Sequence, residues 1–135
     1  MSTCPMQGPR LAETTPGNLF AVWSVRGTSN TGSVFLSTST DGGASWSGGA
    51  SLAGFVADEP TIAVGASGHL YVTGVNGSAK SAMIASTDGG TTWSAPIKLT
   101  APDGDLGTPQ AKGSGGRAAL AAVSKAGTVW LTRME

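Results

Sequence analysis

The chain has 135 residues, of which only 12% are charged, and its eight basic and eight acidic residues give a formal net charge of zero. A neutral chain has no basic field to attract nucleic acid or an anionic membrane, and no apolar run approaches the roughly 20 residues of a membrane span. The single cysteine, Cys4, excludes an intrachain disulfide framework and a cysteine-rich metal site.

Twenty-one glycines and short apolar runs predict an all-β protein with frequent turns. Residues 1–8 lack periodicity and are read as a lead-in. A first unit, 9–54, has predicted strands at 10–12, 19–23, 34–36 and near 50–53. A second unit, 55–100, repeats the order at 60–64, 70–72, 82–84 and 96–99. A third unit, 101–135, has strands at 109–111, 118–123 and 129–131 and is incomplete, because it has no fourth strand.

One eight-residue pattern occurs in both complete units. Ser-Thr-Asp-Gly-Gly-Ala-Ser-Trp ends at Trp46 and Ser-Thr-Asp-Gly-Gly-Thr-Thr-Trp ends at Trp93, 47 positions later. Asp-Gly-Gly favours a tight turn, because the Asp side chain accepts bonds from the backbone that follows and glycine adopts positive φ. We therefore interpret Asp41 and Asp88 as structural acceptors, since a carboxylate occupied by backbone donors is a poor general acid or base.

This pattern resembles the Asp-box, or BNR repeat, of the sialidase-like β-propellers. The matching structural positions are Ser39, Asp41, Gly43 and Trp46 in the first copy and Ser86, Asp88, Gly90 and Trp93 in the second. The resemblance implies that each unit is one propeller blade, a four-stranded antiparallel meander. The chain would then supply about two and three-quarter blades, whereas propellers close with about four to eight.

Ring closure by two copies is the leading hypothesis for the assembly. A homodimer would have six blades, the blade number of the sialidase propellers that the chain resembles. Residues 1–6 of one copy would serve as the missing outer strand of the other copy's third blade. The alternatives are that the chain is a fragment of a longer propeller without independent activity, or a shortened relic that needs another partner.

Propeller ligands usually bind at the channel mouth, on the ring face opposite the Asp-box turns. The sequence places Arg26, Asp58, Glu59 and Asn76 in loops on that face. Arg10 and Arg26 are similar to arginines of the sialidases, and Arg10 is a further ligand-binding candidate on this ground. Adjacent strand residues point to opposite faces, so Asp58 and Glu59 are not expected to act as a pair of glycosidase carboxylates.

The rest of the sialidase catalytic set has no counterpart in the sequence. The family requires two further arginines, an acidic Asp and a Tyr paired with a Glu, whereas Tyr71 is the only tyrosine and stands mid-strand without an evident carboxylate partner. We therefore expect a non-catalytic module that binds a ligand, with carbohydrate favoured by the resemblance alone. The alternative is a sialidase-like glycoside hydrolase completed across the oligomer, with Arg10, Arg26 and Asp58 as catalytic candidates.

Cofactor and metal signals are weak. No phosphate loop, dinucleotide fingerprint or zinc spacing is present, so no cofactor is expected. Asp103 and Asp105 offer oxygen ligands for Ca²⁺, but a two-carboxylate loop is more often solvated, and no metal is predicted. No secretory signal is recognisable at residues 1–6, while the family resemblance favours a secreted or periplasmic protein, so the compartment stays open.

Overall fold

The computed structural model describes residues 8–26, 32–76, 80–107, 109–114, 116–124 and 126–134. The predicted lead-in, apart from Gly8, lies outside these residues, and so do residues 1–6 as a candidate outer strand. Within the described part of the chain, no helix is long and apolar enough to cross a bilayer.

Three antiparallel sheets follow one another along the chain. Sheet 1 has the order β1 (Arg10–Glu13), β2 (Leu19–Arg26), β3 (Gly32–Ser39) and β4 (Ala50–Val56). Sheet 2 repeats this order with β5 (Asp58–Val64), β6 (Leu70–Val75), β7 (Ser81–Ser86) and β8 (Ile97–Lys98). A small hairpin, β9 (Thr100–Ala101) and β10 (Gly104–Asp105), precedes sheet 3, which has β11 (Gln110–Ser114), β12 (Arg117–Val123) and β13 (Val129–Met134).

This architecture confirms the all-β prediction. Among the described residues the only helical element is a single 3₁₀ turn at Ala66–Gly68, and none of the sheets closes on itself. The hairpin β9–β10 is an element that the sequence analysis missed.

Apolar side chains alternate along the central strands and divide between two cores. The first core lies between sheets 1 and 2, and the second lies between sheets 2 and 3. In β6, for example, Leu70 and Val72 pack into the first core while Tyr71 packs into the second. A strand buried on both faces is apolar at successive positions, which explains the continuous apolar run at the start of β6.

The first strands of the three sheets lie side by side. β5 contacts both β1 and β11, and the backbone N–H of Ala111 donates to the Thr61 hydroxyl at 2.9 Å. Gly113 makes the closest approach, because a Cβ at this position would stand 2.7 Å from the backbone nitrogen of Val64. These first strands therefore form one continuous row, β1–β5–β11.

Candidate functional site

The two Asp-Gly-Gly turns have the same internal bonding. In the first, the Ser39 hydroxyl donates to Asp41 Oδ1 at 2.8 Å and accepts the Gly43 N–H at 2.9 Å. The Ser45 N–H donates to Asp41 Oδ1 at 2.9 Å, and Trp46 Nε1 donates to the Gly43 carbonyl at 3.1 Å. The carboxylate thus fixes the backbone that follows it, and the indole closes the turn.

The second turn repeats these bonds residue for residue. Ser86 Oγ lies 2.7 Å from Asp88 Oδ1 and 2.8 Å from the Gly90 nitrogen. The Thr92 N–H reaches Asp88 Oδ1 at 2.9 Å, and Trp93 Nε1 reaches the Gly90 carbonyl at 3.1 Å. One difference is that Trp93 packs against the first core, whereas Trp46 is 41% exposed.

These bonds keep both carboxyl groups ionised. Hydrogen bonds from Ser45, and then from Ser39, lower the pKa of Asp41 to about 2. Bonds from Thr92, and then from Ser86, lower the pKa of Asp88 to about 2 in the same way. A carboxyl group with so low a pKa holds no proton to donate near neutral pH, so neither turn is suited to general acid catalysis.

Arg26 and Asp58, two of the catalytic candidates, are joined in one ion pair. Arg26 Nε donates to Asp58 Oδ1 at 2.9 Å, and Nη2 donates to Oδ2 at 2.7 Å. The Arg26 side chain is 64% exposed and that of Asp58 only 16%, so the pair connects the end of β2 to the start of β5 at the protein surface. The hydrogen bonds and charge of Asp58 raise the pKa of the Arg26 guanidinium. A bidentate pair of this kind positions both groups.

Glu59 departs from the regular strand that the sequence analysis assumed. Its φ is 50°, in the left-handed region, and the register between β5 and β6 shifts between Asp58 and Thr61. The expected alternation of Asp58 and Glu59 across a regular strand is therefore wrong, because a β-bulge redirects the chain there. The negative charge of Glu59 also acts on Arg26, so these three charges form one surface cluster.

Asn76 stands at the same end of the sheets and is bonded to Lys80. Its side-chain oxygen accepts the Lys80 N–H at 3.3 Å, and its backbone N–H donates to the Lys80 carbonyl at 3.0 Å. Asp58 lies opposite Val75, the residue before Asn76, in the pairing of β5 with β6. The structure thus brings Arg26, Asp58, Glu59 and Asn76 to one edge of the molecule.

Asp103 and Asp105 each have a separate partner. Asp103 accepts bonds from Ser124 Oγ at 2.6 Å and from Trp130 Nε1 at 3.0 Å, and the Ser124 bond contributes most to lowering its pKa. Asp105 forms an ion pair with Lys98 at 2.6 Å. The described residues contain no cluster of three or more His, Cys, Asp or Glu side chains that could hold a metal ion. Both carboxylates thus tie the β9–β10 hairpin to its neighbours.

A cleft of about 640 Å³ opens along the row formed by β1, β5 and β11. We call it the first-strand cleft; residues 10–16, 61, 62, 64 and 110–113 line it. This volume is in the range of small-molecule sites. Of the predicted site residues, only Arg10 lines it, whereas Arg26, Asp58, Glu59 and Asn76 lie at the sheet edge described above.

Three further polar residues of the cleft were not singled out by the sequence analysis. Gln110 and Lys112 are exposed on β11, and Glu13 ends β1, where its carboxylate accepts the Gly17 N–H at 2.9 Å. Together with Arg10 they give the cleft two cations and one anion. The sequence signal that could have identified them is their position. Each lies in the first strand of a unit, shortly after the proline that begins that unit.

No protein-family model matches this sequence, and no curated protein matches it. The fold is similar to the crystal structure of a protein of unknown function from Dyadobacter fermentans, with a TM-score of 0.70 at 18% identity. That match covers 93% of this chain and 36% of the other, so this chain spans about a third of the length of its structural neighbour. At this identity the similarity concerns the fold alone.

Proposed function

We propose that the three sheets are blades of a sialidase-like β-propeller and that two copies of the chain form a six-bladed ring. Three successive antiparallel meanders with adjacent first strands support this proposal, because propeller blades are four-stranded meanders arranged around a channel. The identical bonding of the two Asp-Gly-Gly turns supports the Asp-box resemblance. In such a ring the first-strand cleft is part of the channel wall.

The proposed activity is non-catalytic binding of a carbohydrate at this channel. The observation that carries it is the first-strand cleft, where Arg10, Lys112 and Gln110 surround a space of ligand size beside threonine hydroxyls. Such donors and acceptors suit a hydroxyl-rich ligand, since a binding pocket orients its ligand with a few polar groups. The choice of carbohydrate over other polar ligands rests on the resemblance to the sialidase-like proteins.

The interactions of the carboxylates within the chain support the non-catalytic part of the proposal. Glycoside hydrolysis uses two carboxyl groups placed on either side of the scissile bond. Every described carboxylate takes part in an interaction with another group of the chain; these are Glu13, Asp41, Asp58, Glu59, Asp88, Asp103 and Asp105. Six of these seven carboxylates are held by a hydrogen bond or an ion pair within the chain.

A glycan array followed by titration calorimetry tests the binding function. The protein should bind at least one glycan class, and Arg10→Ala and Lys112→Ala should each weaken that binding about tenfold, the value of roughly one charge-assisted hydrogen bond. Lys98→Ala removes the same charge as Lys112→Ala, but its side chain pairs with Asp105 outside the cleft, so this control should bind like the unaltered protein. Equal weakening by all three changes would contradict the cleft as the binding site.

A panel of fluorogenic glycosides tests the non-catalytic part separately. We expect no release of the fluorophore by the unaltered protein. Turnover that Asp58→Ala abolishes would overturn the proposal in favour of a glycoside hydrolase whose site includes the Arg26–Asp58 pair. Turnover that survives Asp58→Ala would still contradict a purely binding role.

A further inference from the structure

The contact between sheets 1 and 2 and the contact between sheets 2 and 3 are built in the same way. We call the face of a sheet that points toward the preceding sheet its leading face, and the opposite face its trailing face. The trailing face of sheet 1, with Phe20 and Val22, packs on the leading face of sheet 2, with Leu70 and Val72. The trailing face of sheet 2, with Tyr71, then packs on the leading face of sheet 3.

No other sheet of the described residues covers the leading face of sheet 1, which is strongly apolar; the segment around Ser47 and Gly49 lies against it. Strand register places seven apolar residues on it, because directly paired residues share one face. These are Leu11, Leu19, Ala21, Trp23, Val25, Phe35 and Val56. Trp23 and Phe35 stack with ring centroids 5.9 Å apart, and Leu11 is 61% exposed.

The trailing face of sheet 3 is the second uncovered face. Register places Val123, Val129 and Leu131 on it, and Leu131 is 75% exposed, the highest value among the exposed large hydrophobic side chains of the described residues. The same face also carries three cations, Lys112, Arg117 and Arg133.

Exposed apolar surface is concentrated on these two faces. Of the eight large hydrophobic side chains exposed among the described residues, six lie on them. The other two, Trp46 and Ile97, lie elsewhere. Exposed apolar side chains gathered on one face are typical of an interaction site.

We propose that the leading face of sheet 1 packs against the trailing face of sheet 3 of a second copy, and that the reciprocal contact completes a closed dimer. This inference rests on the six-bladed ring proposed above and specifies its interface. A second copy is the partner that fits, because the two uncovered faces are of the two kinds that already pack together twice within the chain.

Charge supports the same pairing. Strand register places three cations on the trailing face of sheet 3. On the leading face of sheet 1, the charged residue among the described ones is Glu13. Opposite signs across a contact favour this orientation and disfavour contacts between two copies of the same face.

Completion of the cleft follows from this interface. Lys112 belongs both to the uncovered face of sheet 3 and to the lining of the first-strand cleft, and Leu11 belongs both to the uncovered face of sheet 1 and to that lining. A partner seated on these faces brings its own first strands beside the cleft. The binding site is therefore incomplete in a single copy.

Sedimentation velocity of charge variants tests the interface. Leu131→Glu places an anion on the trailing face of sheet 3, where it would meet the partner's face that carries an anion. Leu11→Arg places a cation on the leading face of sheet 1, where it would meet the partner's face that carries three cations. We expect the unaltered protein to sediment as a dimer at micromolar concentration and each variant alone to sediment as a monomer. Ile97→Glu, which changes an apolar side chain that is 50% exposed outside both faces, should remain a dimer.

Mixing the two variants distinguishes the reciprocal contact from a symmetric one. The mixture should recover a dimer, because one junction joins two unaltered faces and the other joins opposite introduced charges. A monomeric unaltered protein, variants that dimerise as well as it does, or a mixture that stays monomeric would each overturn the proposal. Circular dichroism checks folding, and Val129→Glu replaces Leu131→Glu if the latter is unfolded.

Binding data separate this inference from the proposed function. A monomer that binds glycan would overturn the dimer and leave the binding function in place. A dimer of the predicted kind that binds no glycan would preserve the interface and remove the function.

Discussion

Gly113→Ala should destabilise the protein by forcing β11 away from β5. The added Cβ would overlap the Val64 carbonyl oxygen and stand 2.7 Å from the Val64 nitrogen. Both are backbone atoms of a strand packed between two sheets, so neither can move aside as a flexible side chain would. Overpacking of this kind costs about 1–3 kcal/mol, and we expect about 3 kcal/mol because backbone must shift.

Thermal unfolding followed by circular dichroism measures this effect. For a chain of this length, about 3 kcal/mol corresponds to a fall in Tm of roughly 12 °C. Gly48→Ala is the matched control, since its added Cβ meets nothing within 4 Å, and its Tm should be unchanged or slightly higher. A Gly113→Ala variant with the Tm of the unaltered protein would show that β11 does not lie against β5, and the first-strand cleft would lose its basis.

Three further predictions concern the turns and the ion pair. The pKa values of Asp41 and Asp88 are lowered from 3.8 to about 2, so the unfolded chain takes up protons first as the pH falls, and Tm should fall between about pH 4 and pH 2. The Asp41→Asn, Asp88→Asn double variant should show a shallower fall of Tm, and identical pH profiles would contradict this prediction. Ser86→Ala should lower the free energy of unfolding, measured in urea, by about 1–3 kcal/mol, because the buried hydroxyl donates to Asp88 and accepts the Gly90 N–H. A urea unfolding midpoint equal to that of the unaltered protein would refute this prediction. Asp58→Asn should lower the Tm only slightly, and less at high salt, since Arg26 is largely exposed. A large loss of Tm that salt does not change would contradict this prediction.

Local patterns in the sequence predict much of the fold. Predicted strand 19–23 lies within β2, and 118–123 lies within β12, because alternating or continuous apolar runs between turn residues are a local signal. The β9–β10 hairpin had such a signal in Pro102-Asp103-Gly104, a typical turn sequence, but Asp103 was considered as a metal ligand instead.

The site is less predictable because its contacts join distant parts of the chain. Arg26 and Asp58 are both recognisable as candidates, yet their ion pair spans 32 positions, and no local pattern encodes it. The bulge at Glu59 depends on how β5 pairs with β6, which is also a long-range property. Lys112 becomes a cleft residue only once β11 lies beside β5.

Light scattering of the unaltered protein over a series of micromolar concentrations measures whether two copies associate. We expect a mass twice that of one chain, because the two uncovered apolar faces each require a partner and a second copy supplies both. A single-chain mass throughout the series, with the circular dichroism of a folded β protein, would contradict the ring and the shared binding site within it.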